Sequence, residues 1–366
     1  MATPIIVDTD PGIDDAMAIL LALSAPELDV RALTVLHGNS TVEQCTLNAR
    51  KVLNVAARCD VPVLSGAARP LVRERLAGWV GHGPDALGGV MVQPCQSPSP
   101  TRWGRVGVGA AEGAVIYLIE TLLASDEPIT LVPIAPLTNI ALALASVPEI
   151  KTRIKEIIIM GGAVFHEGNR TPAAEFNILA DPEAAKIVFA SGVPLTVVGL
   201  DVTQVTLLRE ADVRRLETGG RVAAFVAQLA RYMMPFSLKR YGDACVHLHD
   251  PLAVGVALDR SLVRAQSVFV DVETQNGLAL GGAGQDHCRP AKRLGQAAKR
   301  GGVYHGGCRT VCRADAGEAD PLVRCALHQN RPRAFLHGLA LLVDQADVQR
   351  DQPAMIAADG FLGGEF

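Results

Sequence analysis

The residues Val7-Asp8-Thr9-Asp10-Pro11-Gly12-Ile13-Asp14-Asp15-Ala16 put four carboxylates within eight positions, around a Pro-Gly turn and between apolar runs. Carboxylates this crowded repel one another unless a cation sits among them or some keep their protons. An all-oxygen set with no cysteine beside it suits Ca2+ or Mg2+ better than Zn2+. Asp10 and Asp15, on either side of the turn, can aim at one point above the end of a strand. Asp14 points to one side, free to accept hydrogen bonds from a ligand, and Asp8 reads as a support. Asp10 is also placed to cap the following helix, with Pro11 at its first position. A second reactive stretch, Leu248-His249-Asp250-Pro251-Leu252, opens a late apolar helical run. An Asp before Pro is an ordinary helix cap. Next to His249 it is also a further hard ligand, beside a group able to transfer a proton near neutral pH.

The elements that must hold these groups are legible as alternating strands and helices. Residues 4–9, 30–36, 129–134, 155–160 and 194–200 are short runs rich in Ile and Val with little alternation, as expected of strands covered on both faces. Ala16, Ile19, Leu20 and Leu23 repeat with helical spacing, and helical segments fit 41–57, 111–124, 137–146, 182–190 and 221–234. The pattern predicts an α/β fold: a mostly parallel, Rossmann-like central sheet flanked by helices, in a single large domain. Each strand is followed by polar residues: the Asp cluster, His37-Gly38-Asn39, Ala135-Pro136-Leu137-Thr138-Asn139, a Gly-rich run ending at Asn169, and Asp201. Ligands of open α/β sheets bind outside the carboxyl ends of the strands, so these residues are expected to converge on one crevice. The Gly- and Pro-rich segment 66–110 reads as a long loop over that crevice, carrying His82 as a ligand contact.

Bulk properties exclude several classes. The chain has 366 residues, 49% of them hydrophobic, which supplies a sizeable core. A net charge of -4 gives no long-range attraction to nucleic acid. No run is long and apolar enough for a signal peptide or membrane span, so a cytoplasmic location with no membrane partner is expected. Cys45, Cys59, Cys95 and Cys245 show no paired spacing and are expected to be reduced.

The segment Asp8-Thr9-Asp10-Pro11-Gly12-Ile13-Asp14-Asp15 resembles the N-terminal signature of the inosine–uridine preferring nucleoside hydrolases. His37-Gly38-Asn39, "PLTNIALAL" at 136–144, "MGG" at 160–162, "AEFNILADPEAA" at 174–185 and "HDPLAV" at 249–254 follow in the same order. The resemblance implies Ca2+-dependent hydrolysis of the N-glycosidic bond of ribonucleosides, giving ribose and free base, by a homodimer or homotetramer. It places Asp10, Asp15, Asp250 and the carbonyl of Ile134 on the ion. It places Asp14, Asn39, Asn169, Glu175 and Asn177 on the ribose hydroxyls. Asp10 becomes the base that activates water, and His249 the proton donor to the departing base. Tyr241, Phe236, His82 and His247 are candidates for contacting the base, and the residues do not separate purine from pyrimidine.

The resemblance covers about residues 4–280. The nucleoside hydrolase-like unit is therefore 1–281, and 282–332 stands apart. That stretch holds Cys288, Cys308, Cys312 and Cys325, many basic residues and little apolar periodicity. A divergent loop, a metal site built on Cys308 and Cys312, and a local reading-frame shift compete, and the frame shift accounts best for the change of character. Residues 333–345 again read as a terminal helix. Two rival functions remain: an Mg2+-dependent phosphohydrolase using Asp8 and Asp10, and a non-catalytic nucleoside-binding protein.

Overall fold

The computed structural model describes residues 2–96, 113–275, 277, 280–281, 283–284 and 323–329. Its main sheet holds β1 (Thr3–Thr9), β2 (Leu28–Val35), β3 (Val63–Ser65), β4 (Ile129–Pro133), β5 (Ile154–Met160) and β6 (Leu195–Val198). Two smaller pairs are β7 (Leu207–Arg209) with β8 (Cys245–His247), and β10 (Asp271–Val272) with β11 (Ala283–Gly284). The main sheet is completed by β9 (Val263–Val268) and β12 (Val323–Gln329), in the order β3-β2-β1-β4-β5-β6-β12-β9. All neighbours run parallel except β12 and β9. Strand order reverses between β1 and β4, so the crevice of this sheet opens above their carboxyl ends. Asp8 to Asp15 and Ile134 lie there.

The covering helices are α1 (Ile13–Ser24), α2 (Val42–Val55), α3 (Gly113–Ala124), α4 (Thr138–Ser146), α5 (Phe176–Ala180) and α6 (Pro182–Phe189). They continue with α7 (Leu200–Thr203), α8 (Glu210–Glu217), α9 (Arg221–Tyr241) and α10 (His249–Leu258). Two apolar layers result. One, against α1, α9 and α10, is built around Ile5, Val7, Met17 and Leu252; the other, against α4 and α6, around Ile6, Leu131, Ile157 and Val188. Successive β1 residues alternate between these layers, which is why the strand carries no polar alternation.

Three expectations change. Helix α1 starts at Ile13 with Gly12 as its cap, not at Pro11 with Asp10. Asp15 reaches back to accept from Gly12 N–H at 3.0 Å, which frees Asp10 from capping. Cys59 and Cys95 form a disulfide, with Cα atoms 5.6 Å apart. The 66–96 loop returns to α2 at this point: Cys95 N–H donates to the Arg50 carbonyl at 3.1 Å and Asn54 Nδ2 to Gln93 O at 2.7 Å. Long sequence separation hid the pair. Closing a loop over 36 residues should stabilise by about 2–4 kcal/mol. Urea unfolding of Cys59→Ser, beside the oxidised parent, is expected to show a loss of that size with cavity residues undisturbed. Finally, β12 falls inside 282–332, with Val323 and Cys325 buried between β6 and β9. Strand β11 lies in that stretch too, while its other residues, including Cys288, Cys308 and Cys312, and the terminal helix expected at 333–345 lie outside the described residues.

Candidate active site

Above the β1–β4 reversal lies an open cavity lined by Asp14, Asn39, His82, Glu175, His249 and Asp250, among others. Asp14, Asp15 and Asp250 each bring a carboxylate oxygen within 4.8 Å of the others, an arrangement able to hold a metal ion. Asp10 stands beside them, fully buried. Its Oδ2 accepts from Asn39 N–H at 2.6 Å, while its Oδ1 is buried with no hydrogen-bond partner. Asp14 Oδ1 is likewise unpartnered. Asp15 is fully tied down: Oδ1 accepts from Thr9 Oγ1 and Asp10 N–H, and Oδ2 from Gly12 N–H and Asn39 Nδ2. Gly38 lets the loop come this near, since a Cβ there would lie 1.9 Å from Asp10 Oδ2. The tightest group thus contains Asp14 where the sequence placed Asp10, because Asn39 draws one oxygen of Asp10 toward β2.

Burial pushes every one of these acids up. Asp14 and Asp15 rise to about 6, the second also through the charge of Asp14. Asp10 rises further by burial and by the charge of Asp15. Asp250 rises by burial and by the charges of Asp14, Asp15 and Asp10. Unpaired oxygens and mutual repulsion in a dry pocket are what a divalent cation would relieve, and the hard oxygen donors fit such an ion.

Asp8 does not join the site. It is buried beneath the floor, where Oδ1 accepts from Thr34 Oγ1 at 2.6 Å and Asn139 Nδ2 at 2.8 Å. Burial pushes it up to about 7. His37 is also beneath the floor, 3.2 Å from Thr138 Oγ1. Asp201 instead pins the loop after β5, accepting from Val164 and Phe165 N–H at 2.9 and 2.6 Å. Convergence holds for the Asp cluster, Asn39 and the loop ending at Asn169. It fails for Asp8, His37 and Asp201, which support the elements that carry the others.

The opposite wall comes from the start of α5. Glu175 caps the helix: Oε1 accepts from Asn177 N–H at 2.8 Å, and Oε2 from Gly162 and Ile178 N–H at 3.0 and 3.2 Å. Asn177 Nδ2 donates to the carbonyls of Ile134 and Met160 at 3.3 and 3.1 Å, which leaves Oδ1 for a ligand. Asn169 Oδ1 accepts from Phe176 N–H at 3.0 Å. All three residues line the cavity, as does Ile134.

Histidines form the remaining side. His249 Nδ1 lies 2.8 Å from Thr203 Oγ1, and its ring stacks on His247 with centroids 5.5 Å apart. Tyr241 packs 4.6 Å from His247. Burial, helped by His247, His82 and Arg240, pushes His249 down to about 3. His82 is held from below: its Nδ1 accepts from Ile13 N–H at 3.1 Å, and its Nε2 is 3.9 Å from Asp14 Oδ1. Burial pushes it down to about 4, in keeping with an Nδ1 that must stay unprotonated to accept. Phe236 packs on Tyr232 at 5.6 Å and does not line the cavity. Sequence reasoning missed Trp79, Arg170, Ser237 and Arg240. Ser237, one turn before Tyr241 on α9, is buried with an unpartnered Oγ; helical spacing from Tyr241 was the available signal.

Residues 5–325 match the family model described as inosine-uridine preferring nucleoside hydrolase. A pyrimidine-specific ribonucleoside hydrolase RihA of Shewanella sp. (strain MR-7) is 43% identical over 283 residues, 77% of this chain and 86% of that protein. Its counterpart from Salmonella typhimurium is 42% identical over 277 residues, 75% of this chain and 86% of that one. Among solved structures, a plant nucleoside hydrolase, PpNRh1, superposes with a TM-score of 0.75 at 31% identity, covering 95% of this chain and 99% of that one. A purine-preferring ribonucleoside hydrolase from Gardnerella vaginalis gives 0.78 at 27%, covering 94% and 100%. With this sheet order, this acidic cavity and these relatives, the chain belongs to the inosine-uridine preferring nucleoside hydrolase family and is a ribonucleoside hydrolase.

Proposed function

We propose that the protein hydrolyses pyrimidine ribonucleosides to ribose and free base with Ca2+ as its ion. The unpartnered oxygens of Asp10 and Asp14 beside Asp15 and Asp250 carry this reading. The relatives named as pyrimidine-specific support the choice of base.

Asp10, Asp15, Asp250 and the Ile134 carbonyl would hold the ion. When bound, it would anchor two neighbouring sugar hydroxyls and make a water more acidic. Asp10 Oδ1 accepts nothing else and takes a proton from the attacking water. Glu175 Oε1 has used one lone pair and Asn177 Oδ1 none, so each can accept from a ribose hydroxyl. A sugar lacking that hydroxyl leaves these buried acceptors unpaired, which costs about 1–3 kcal/mol each. The C1′–N bond breaks, water oxygen bonds to C1′, the departing base takes a proton from solvent or from His249 in its imidazolium form, and neutral His249 steadies the base by a hydrogen bond from its Nε2 proton. Only with Thr203 donating to Nδ1 does Nε2 carry that proton. Asp8, beneath the floor, is not presented to a phosphate ester, which counts against the phosphohydrolase. A catalytic pair with both partners in the cavity counts against a mere binder.

Uridine, cytidine and inosine should be assayed for released ribose before and after chelation. Chelation is expected to cost about 10³-fold or more, and added Ca2+ to restore activity. The gain in melting temperature on adding Ca2+ should be larger at pH 7.5 than at pH 5.5. The raised carboxylates keep protons at the lower pH, and the ion must displace them. Phosphate release from esters without base release would overturn the reading. We also infer a cytoplasmic homodimer or homotetramer, to be checked by cell fractionation and light scattering; among the described residues no helix is long and apolar enough to cross a membrane.

A further inference from the structure

Arg240 sits at the end of α9 and lines the cavity. Its guanidinium carbon lies 5.8 Å from the Trp79 ring centroid and 5.3 Å from that of Tyr241. One Nη donates to the Asn169 carbonyl at 2.5 Å. Among the described residues no carboxylate forms an ion pair with it, whereas Arg209, Arg231 and Arg260 each have one. A guanidinium has five N–H donors, so most of this one's capacity and its full charge remain available at the mouth. Beside it His249 stacks on His247, and Tyr241 packs on His247 at a tilt of 57°, so the three rings form a continuous wall. The base must depart along that wall if His249 is its proton donor.

We propose that Arg240 binds a carbonyl oxygen of a pyrimidine base and stabilises the negative charge that reaches this oxygen as the N-glycosidic bond breaks. The proposal rests on the hydrolase reading above and names the substrate class that it favours. As C1′–N1 breaks, its electron pair goes to N1 and spreads onto the C2 carbonyl. Water oxygen bonds to C1′, Asp10 takes one water proton, and the base later gains a proton from His249 or solvent. A cation aimed at the carbonyl lowers the barrier, because the charge it meets develops only as the bond breaks. Purines gain less, since their leaving charge is best relieved by protonation of a ring nitrogen. Arg240 is exposed at the mouth, but a bound base excludes water there and strengthens the interaction.

Arg240→Met keeps the apolar stem over Trp79 and Tyr241 and removes the charge; Arg240→Lys keeps the charge. Uridine, inosine and p-nitrophenyl riboside are the probes, the last having a leaving group that needs no help. In the Met variant kcat for uridine is expected to fall about 10- to 100-fold, with inosine affected less. Turnover of p-nitrophenyl riboside should stay within about 3-fold of wild type, which also confirms an intact fold. The Lys variant should recover most of the uridine rate. Equal losses on all three substrates through KM would make Arg240 a mere latch on Asn169 and overturn the proposal, as would an unchanged uridine rate. A wild-type protein that hydrolyses no nucleoside would overturn the hydrolase reading itself, before any variant is tested.

Discussion

Asp10→Asn is expected to lower uridine turnover by about 10³-fold or more while leaving the fold intact. The amide oxygen can still accept from Asn39 N–H, so the loop after β2 stays in place. What is lost is a buried oxygen that accepts nothing among the described residues, together with one negative charge facing the ion. Proton abstraction and ion affinity should therefore fall together, read by steady-state rates and by Ca2+ calorimetry. The metal-free variant should melt higher than the metal-free parent, by about 2–4 °C, because the buried Asp10 repels Asp15 and Asp250 and that repulsion is removed. Activity and stability moving in opposite directions identify a functional carboxylate. A variant with full activity, or one that merely unfolds, would remove Asp10 from the base role.

The second large effect is expected at His249. His249→Ala should reduce turnover of uridine about 10²- to 10⁴-fold and leave p-nitrophenyl riboside nearly untouched. The ring is neutral, since burial and nearby positive charge push it down to about 3. It therefore presents one N–H, at Nε2, as a hydrogen-bond donor while Thr203 donates to Nδ1, and it gives up a proton outright only as imidazolium, the form that developing negative charge on the base favours. Thr203→Val should follow the same substrate pattern more weakly, because the ring loses its orienting partner rather than its proton. Equal losses on both substrate types would assign His249 to packing alone.

The parallel core was legible because β1, β2, β4, β5 and β6 each carry a short Ile-, Val- or Leu-rich run with little alternation, as expected of strands covered on both faces. The acidic turn was legible because four carboxylates in a tight turn demand a cation or protons. What escaped is long-range. The Cys59–Cys95 bond joins positions far apart with no local signal. Strand β12 has only a brief alternation at Val323, Arg324 and Cys325, set in an otherwise irregular stretch. Arg240 looks like any solvated charge at a helix end until its lack of an acidic partner among the described residues is seen in space. Asp8 and Asp201 carry the right chemistry in the right loops, yet Thr34 and Asn139 hold the first below the floor and the second serves as a loop pin. Types and spacing predict which residues are near a strand end, not which way each one faces.

Strand β12 enters the main sheet between β6 and β9, although more than fifty residues separate it from β9 in the chain. During synthesis, β6 must therefore wait with an open edge until residue 329 has left the ribosome. Nascent chains halted before that point would present a row of free amides and carbonyls to one another. Late closure of this kind makes folding slow, and it ties completion of the main sheet to synthesis of the chain through β12.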